Sequence, residues 1–189
     1  MYSIFEFLEK HPRNRGITPL DTEASSRLLK CNAPEAVASF LHHEGVSAYH
    51  DDFFFTTMPD DHFETLSAWG LNGTHCFAFL RTAFGSIIYS YNGLIFQLDP
   101  ISGYVYSGQF DLFDFLNLLA TMDSFLESTY FDIYQQVKKN ETLGFDEVYA
   151  LTPPLPLGGS FESSHFEIVK MREYLAVTAR LYGNKAREL

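Results

Sequence analysis

With 189 residues, 46% hydrophobic and 20% charged, the chain has the balance of a soluble globule and the length for one domain or two small halves sharing a core. Its formal charge of −11 is unevenly laid out: between Lys30 and Lys138 a single cation, Arg81, stands among 13 carboxylates, while residues 1–30 and 138–189 come to +1 and 0. Such a balance excludes a nucleic-acid binder, which needs clustered Lys and Arg to displace counterions, and an anionic membrane surface; it favours a basic partner, because clustered charge of one sign steers the encounter with the other.

Residues 3–10 read as a short helix closed by Pro12, and Arg13, Arg15 and Gly16 as a basic loop. Thr18-Pro19-Leu20-Asp21 offers an N-cap with an acid three positions on, opening a helix through Leu28 and Leu29. Asn32-Ala33-Pro34-Glu35 is a second start signal, for a helix that buries Val37, Phe40 and Leu41 and stops at Gly45. Phe53-Phe54-Phe55 reads as a short buried strand, and Thr57-Met58-Pro59-Asp60 repeats the capping device before a helix with Phe63 and Leu66 inside and Gly70 at its end.

From His75 the period changes to that of strands, over 76–81, 86–91, 94–98 and 104–107. Asn92-Gly93 supplies the positive φ angles of a tight hairpin and Pro100 to Gly103 the next turn, giving an antiparallel meander. Residues 110–119 are too apolar for a surface helix and should pack against that sheet. Residues 123–138 read as one amphipathic helix with Leu126, Tyr130, Ile133 and Val137 on one face. Thr152 to Gly159, with three prolines and two glycines, is an irregular loop, and 166–182 is a closing helix ended by Gly183. The fold class is therefore α+β, a β-meander of about four to five strands packed against several helices.

Composition sets further bounds. The 19 Phe and 11 Tyr point to a Phe-rich core rather than an exposed aromatic patch. Cys31 and Cys76 form neither a CxxC pair nor a disulfide framework, no stretch approaches the ~20 apolar residues of a membrane span, and Met1 to Lys10 lacks the order of a signal peptide; the expectation is a cytoplasmic protein.

Chemistry leaves little trace. His42 and His43 are adjacent, so on a helix they point about 100° apart and cannot chelate one metal ion. His50-Asp51-Asp52 and Asp60-Asp61-His62 share no metal-ligand spacing, there is no G-x-S-x-G elbow, Ser163-Ser164-His165 lacks a partner, and Gly158-Gly159-Ser160 lacks the lysine and length of a phosphate loop. No catalytic residue, metal or cofactor is assigned. Lys138-Lys139 and Lys185 to Arg187 suit helix C-termini rather than a polyanion. Arg81 ends the apolar run Phe77 to Leu80; a buried guanidinium must be paired, so an internal ion pair with Asp99 or Asp146 is expected, in preference to a partner contact.

Several short segments, in order, carry a resemblance. Arg81-Thr82-Ala83-Phe84-Gly85 precedes a hairpin and Leu98-Asp99-Pro100; Gly144-Phe145-Asp146-Glu147-Val148-Tyr149 follows, then Pro153 to Gly159, then Lys170-Met171-Arg172-Glu173-Tyr174-Leu175. Over roughly residues 30–182 the chain resembles the bacterial immunity proteins of type VI secretion DNase effectors. The resemblance implies a GAD-like region over 1–109 and a C-terminal helical immunity region over 110–189, forming one unit with a shared core. It also implies a non-catalytic inhibitor that binds its cognate antibacterial nuclease one-to-one in the cytoplasm. The motif residues themselves serve as scaffold in that comparison.

The charge agrees, since an acidic protein can match the basic groove in which a nuclease holds DNA; inhibition by remodelling the toxin is a second route. A general acidic binding module of similar α+β fold with a different partner is the alternative, and an enzyme the third reading. The expected contacts are the acids Asp51, Asp52, Asp60, Asp61 and Glu64, with Asp111 and Asp114 next, and the aromatics Tyr49, Phe53 and Trp69 as desolvated anchors. Helix-capping acids and core aromatics would give the same pattern.

Overall fold

The computed structural model describes residues 2–17, 20–138 and 142–188, and builds them around one large sheet. Its strands are β1 (Arg13–Ile17), β2 (Val46–Tyr49), β3 (Phe54–Thr56), β4 (Phe77–Thr82), β5 (Ile87–Tyr91), β6 (Leu94–Asp99), β7 (Tyr104–Ser107) and, far along the chain, β10 (Arg187–Glu188). They lie side by side in the order β1-β2-β3-β4-β5-β6-β7-β10, every neighbour antiparallel except β10, which runs parallel to β7. The α+β class and the central meander stand as expected, but the sheet is eight strands wide rather than four to five. The additions come from short segments, of which β1 and β10 are polar. The basic stretch at Arg13 to Ile17 is a strand rather than a loop, paired with β2 through Gly16, where a Cβ would come within 2.2 Å of Ser47 Oγ.

The helices are α1 (Tyr2–Lys10), α2 (Thr22–Lys30), α3 (Glu35–Glu44), α4 (Phe63–Ala68), α5 (Leu112–Thr121), α6 (Asp123–Glu127), α7 (Phe131–Val137) and α8 (Met171–Leu181). Two aspartates act as side-chain caps, Asp21 at the cap itself rather than three positions after it. Asp21 accepts from the Ala24 amide at 2.7 Å, and Asp111 from the Phe113 and Asp114 amides at 2.8 and 2.9 Å. The expected caps Asn32 and Thr57 do not: Asn32 turns the chain at φ +54° after α2, and Thr57 Oγ1 contacts His62 Nε2 at 2.7 Å. Thr18 and Pro19 of the first signal lie outside the described residues, as does Lys139.

Alternation along the strands divides the interior in two. Phe79, Ile88 and Ile95 face a large cluster with Phe7, Val37, Phe40, Leu116, Leu119, Tyr134 and Val137 from the helices. Ala78, Ile87, Tyr89, Leu98 and Val105 face a second cluster with Leu66 on α4, Trp69 just after it, and Leu175 and Ala179 of α8. The sheet is thus buried on both faces over much of its width. Phe and Tyr fill the larger cluster, as the composition suggested; Phe5 and Phe145 are the exposed Phe side chains among the described residues.

Three expectations change. The helix over 123–138 is broken into α6 and α7, because Tyr130 adopts a left-handed φ of +70° and its hydroxyl donates to Asp99 Oδ2 at 2.7 Å. The closing helix over 166–182 begins only at Met171, since the β-branched run Phe166–Lys170 forms β9 and pairs antiparallel with β8 (Glu147–Leu151) in a separate hairpin. Between them, residues 152–159 are irregular, as expected. Arg81 is buried at 1% exposure but makes no ion pair with either expected acid. Its Nη1 donates to Thr82 O at 3.2 Å and its Nη2 to Gly144 O and Phe145 O at 3.3 and 2.9 Å, with the guanidinium 3.8 Å from the centre of the Phe55 ring. Asp146 pairs instead with Lys170 at 2.8 Å, and Asp99 accepts from Ser102 Oγ, Tyr130 OH and the Ile101 amide. Desolvation, reinforced by the charge of Arg15, lowers Arg81 to about 9.

Candidate protein interface

The turn between β2 and β3 carries the first two expected contact residues. His50, Asp51 and Asp52 all adopt left-handed φ, at +52°, +57° and +68°, a run that costs an L-residue roughly 1–2 kcal/mol at each step and needs support. Support comes from every side. His50 Nδ1 contacts Nδ1 of the buried His11, the Phe131 ring packs edge-on at 4.4 Å, and Tyr134 OH donates to Asp51 O. Asp52 accepts from Arg15 Nε at 3.2 Å, and Asp51 pairs with Lys138 Nζ at 3.1 Å, which holds its carboxyl below the usual range. Both carboxylates are thus engaged within the molecule.

The next acids are engaged likewise. Arg27 reaches from α2 to grip Asp60 through Nε and Nη2 at 2.8 and 2.9 Å and also contacts Asp61, raising its own pKa through these hydrogen bonds. Glu64 pairs with Arg172 of α8 on the surface. Arg13 meets the buried Glu44, which also accepts from Tyr49 OH at 2.6 Å. Arg13, Arg15 and Arg27 therefore fold against the acids of residues 44–61, and much of the charge asymmetry along the chain is cancelled in space on this side.

Tyr49, Phe53 and Trp69 correct the expected anchors, for each is 0% exposed. Phe53 lies among Phe54, Phe131 and Tyr134 with ring centres 4.6–5.0 Å away, and Trp69 packs 5.8 Å from Tyr182. They are core side chains and present no surface for a partner.

What remains unpaired is a set of acids on and beside α5–α7. Asp111 and Asp114, both expected, are exposed there together with Glu127 and Asp132, and none of the four makes an ion pair among the described residues. Asp123 at the start of α6 is 81% exposed and met only by Lys10 at 3.2 Å. No Lys or Arg occurs between Arg81 and Lys138, so this face has no cation of its own. Met122, 46% exposed between α5 and α6, adds an apolar point to it. Glu127 and Asp132 escaped the sequence reading, although the unbroken cation-free run through them was the available signal.

For other chemistry, no group of three His, Cys, Asp or Glu among the described residues could hold a metal ion, and no described helix is long and apolar enough to cross a membrane. His165 Nδ1 contacts Ser160 Oγ at 3.0 Å and Ser160 O at 3.2 Å, so it folds back onto the loop rather than onto Ser163 or Ser164.

Residues 110–181 match the family model described as T6SS immunity protein Tdi1, C-terminal, which supports a type VI secretion immunity family. The crystal structure of Atu4351 from Agrobacterium tumefaciens superposes with a TM-score of 0.75 over 95% of this chain and 89% of that one, at 17% identity, which shows a common fold. No curated protein matches the sequence.

Proposed function

From the match of residues 110–181 to a type VI secretion immunity family, we propose that the chain is an immunity protein that binds and neutralises a cognate nuclease toxin, one-to-one, in the cytoplasm. The toxin is a DNase, and the contact is made by the acidic outer face of α5–α7 against the toxin's basic DNA-binding surface. The observation that supports this reading most is that the acids without an intramolecular cation, Asp111, Asp114, Glu127 and Asp132, fall within or beside the helices of the matched segment. Charge of this kind speeds association and occludes the polyanion groove without any catalytic step.

Co-expression with the product of the adjacent gene tests it, scoring survival and co-purification. Rescue with a stable complex supports immunity by binding; survival without a complex points to an activity on the damage; no rescue removes the toxin reading and leaves an acidic binding module.

Two sets of substitutions then separate the faces. Asp114→Lys, Glu127→Lys and Asp132→Lys together are expected to slow association with the toxin at low salt by about tenfold or more, with little change in melting temperature. Asn at positions 51, 52, 60 and 61 is expected instead to lower the melting temperature, because it unpairs Arg15, Arg27 and Lys138, while association rates hold. Stopped-flow association and thermal melts read both, and slowed association in the second set alone moves the interface to the β2–β3 turn.

A further inference from the structure

A cavity of about 530 Å³ opens between α4, the loop before β8 and the start of α8, with Arg81, His62, Thr65, Lys170, Arg172 and Glu173 in its wall. That is the size of a small-ligand site, and the immunity reading makes no use of it.

Its most unusual component is Arg81. The side chain is 1% exposed, lacks a carboxylate partner and directs three N–H···O bonds to carbonyls, although a guanidinium offers five donors. Its Nε–H makes no hydrogen bond among the described residues. The carboxylates near it are already taken: Asp61 also lines the cavity but contacts Arg27, and Asp146 pairs with Lys170. A buried cation without an anion is what a ligand's negative group would complete.

The second component is α8 itself. Eleven residues long, it starts in the cavity wall with no side-chain cap at Lys170. The Met171 amide is used by Asp146 O at 2.8 Å, whereas helix geometry leaves the amides of Arg172 and Glu173 without an intrahelical acceptor at the positive end of the macrodipole. The third is the rim, where Lys170 and Arg172 stand at 52% and 81% side-chain exposure, each in a surface ion pair that an incoming anion can share. Glu173 is the acid of this rim without an ion pair among the described residues, and His62 is held neutral by burial and by Arg81, so Arg81 is the buried cation of the cavity and Glu173, on the rim, its unpaired acid.

We infer that this cavity binds a small-molecule oxyanion, a phosphate or carboxylate group carried on a compact organic body, with its oxygens on the Arg81 Nε–H and the first free amides of α8. The volume exceeds that of a bare phosphate, which is why an organic body belongs to the assignment.

Sodium phosphate and citrate, titrated separately into the intact ¹⁵N-labelled protein at fixed ionic strength, test it. The signals to follow are Arg81 Nε–H and the amides of Arg172 and Glu173. Saturable shifts at all three with one shared Kd are expected for at least one of the two anions, phosphate and citrate distinguishing the two groups. Arg172→Glu, a surface change that leaves the core alone, should weaken that binding by about tenfold. The assignment is overturned by the absence of saturation at these sites with both anions, by shifts no larger there than at exposed lysines elsewhere, or by unchanged affinity in Arg172→Glu.

Discussion

Replacing Arg81 by Ala is expected to destabilise the fold by about 3–5 kcal/mol, enough to remove most of the stability of an ordinary domain. The reason differs from the usual one for a buried cation. No carboxylate is orphaned, because Arg81 makes an ion pair with none; the loss comes from three carbonyls, of Thr82, Gly144 and Phe145, left without their donor. It also comes from the empty volume beside Phe55 and the lost cation–π contact at 3.8 Å. Through these bonds Arg81 ties β4 to residues 144 and 145, so the change should loosen the loop that leads into β8. Arg81→Met separates the contributions. It keeps the stem packing and removes the desolvation penalty of the charge, and should recover more than half of the loss. Urea melts of the two variants decide it, and an Arg81→Ala protein within about 1 kcal/mol of wild type would falsify the account.

Acidification from pH 7 to pH 5 is expected to remove about 3–4 kcal/mol of stability, through two buried imidazoles. His11 is 0% and His62 6% exposed, and burial lowers each to about 4, against the ordinary 6.5. A base whose folded pKa is depressed binds fewer protons in the folded state. Its contribution is therefore complete above pH 6.5 and is lost as pH falls toward 4. His50, lowered by burial and paired with His11, adds in the same direction. The carboxylates act lower down. Asp51, Asp146 and Glu147 have depressed pKa values and lose their ion-pair stabilisation only near and below the ordinary carboxylate range, while Asp99, raised by burial, works against them there. Denaturant melts at half-unit steps from pH 7.5 to 4.5 should show the slope of about two protons; a flat profile above pH 5 refutes it. The variant His62→Gln should lose roughly half of the slope, which identifies its source.

Local signals were legible wherever one short segment decides its own geometry. Asn92-Gly93 takes left-handed φ at both positions, and the four strands of the meander fall within a residue or two of their expected limits. The failures share a different cause. Arg13–Ile17 is a strand only because β2 lies beside it, and Phe166–Lys170 only because β8 does; a five-residue segment has no periodicity strong enough to declare a partner it meets elsewhere. Tyr130 breaks a good amphipathic pattern because the buried Asp99, thirty-one positions back, needs its hydroxyl.

The partners of the expected contact acids were hidden for a similar reason. Asp52, Asp60 and Asp61 look free along the sequence, but their counterions Arg15 and Arg27 lie 33 to 37 residues earlier and arrive only through tertiary structure. The same holds for Tyr49, Phe53 and Trp69, whose composition suits an anchor or a core and whose burial settles which. Asp111 and Asp114 differ in that no cation occurs within the helices that carry them, which the sequence already shows.

The parallel pairing of β10 with β7 bears on how the chain comes off the ribosome. Tyr104 pairs with Arg187 and Val105 with Glu188, so the outer side of β7 stays without its partner while about eighty further residues are made. During that interval Tyr104, Val105 and the exposed Tyr106 present an unpaired strand to every other nascent chain nearby. Tyr104 and Val105 are covered only once the Ala186 amide has donated its hydrogen bond to Trp69 O at 2.9 Å and the two-residue strand beyond it has been laid alongside them.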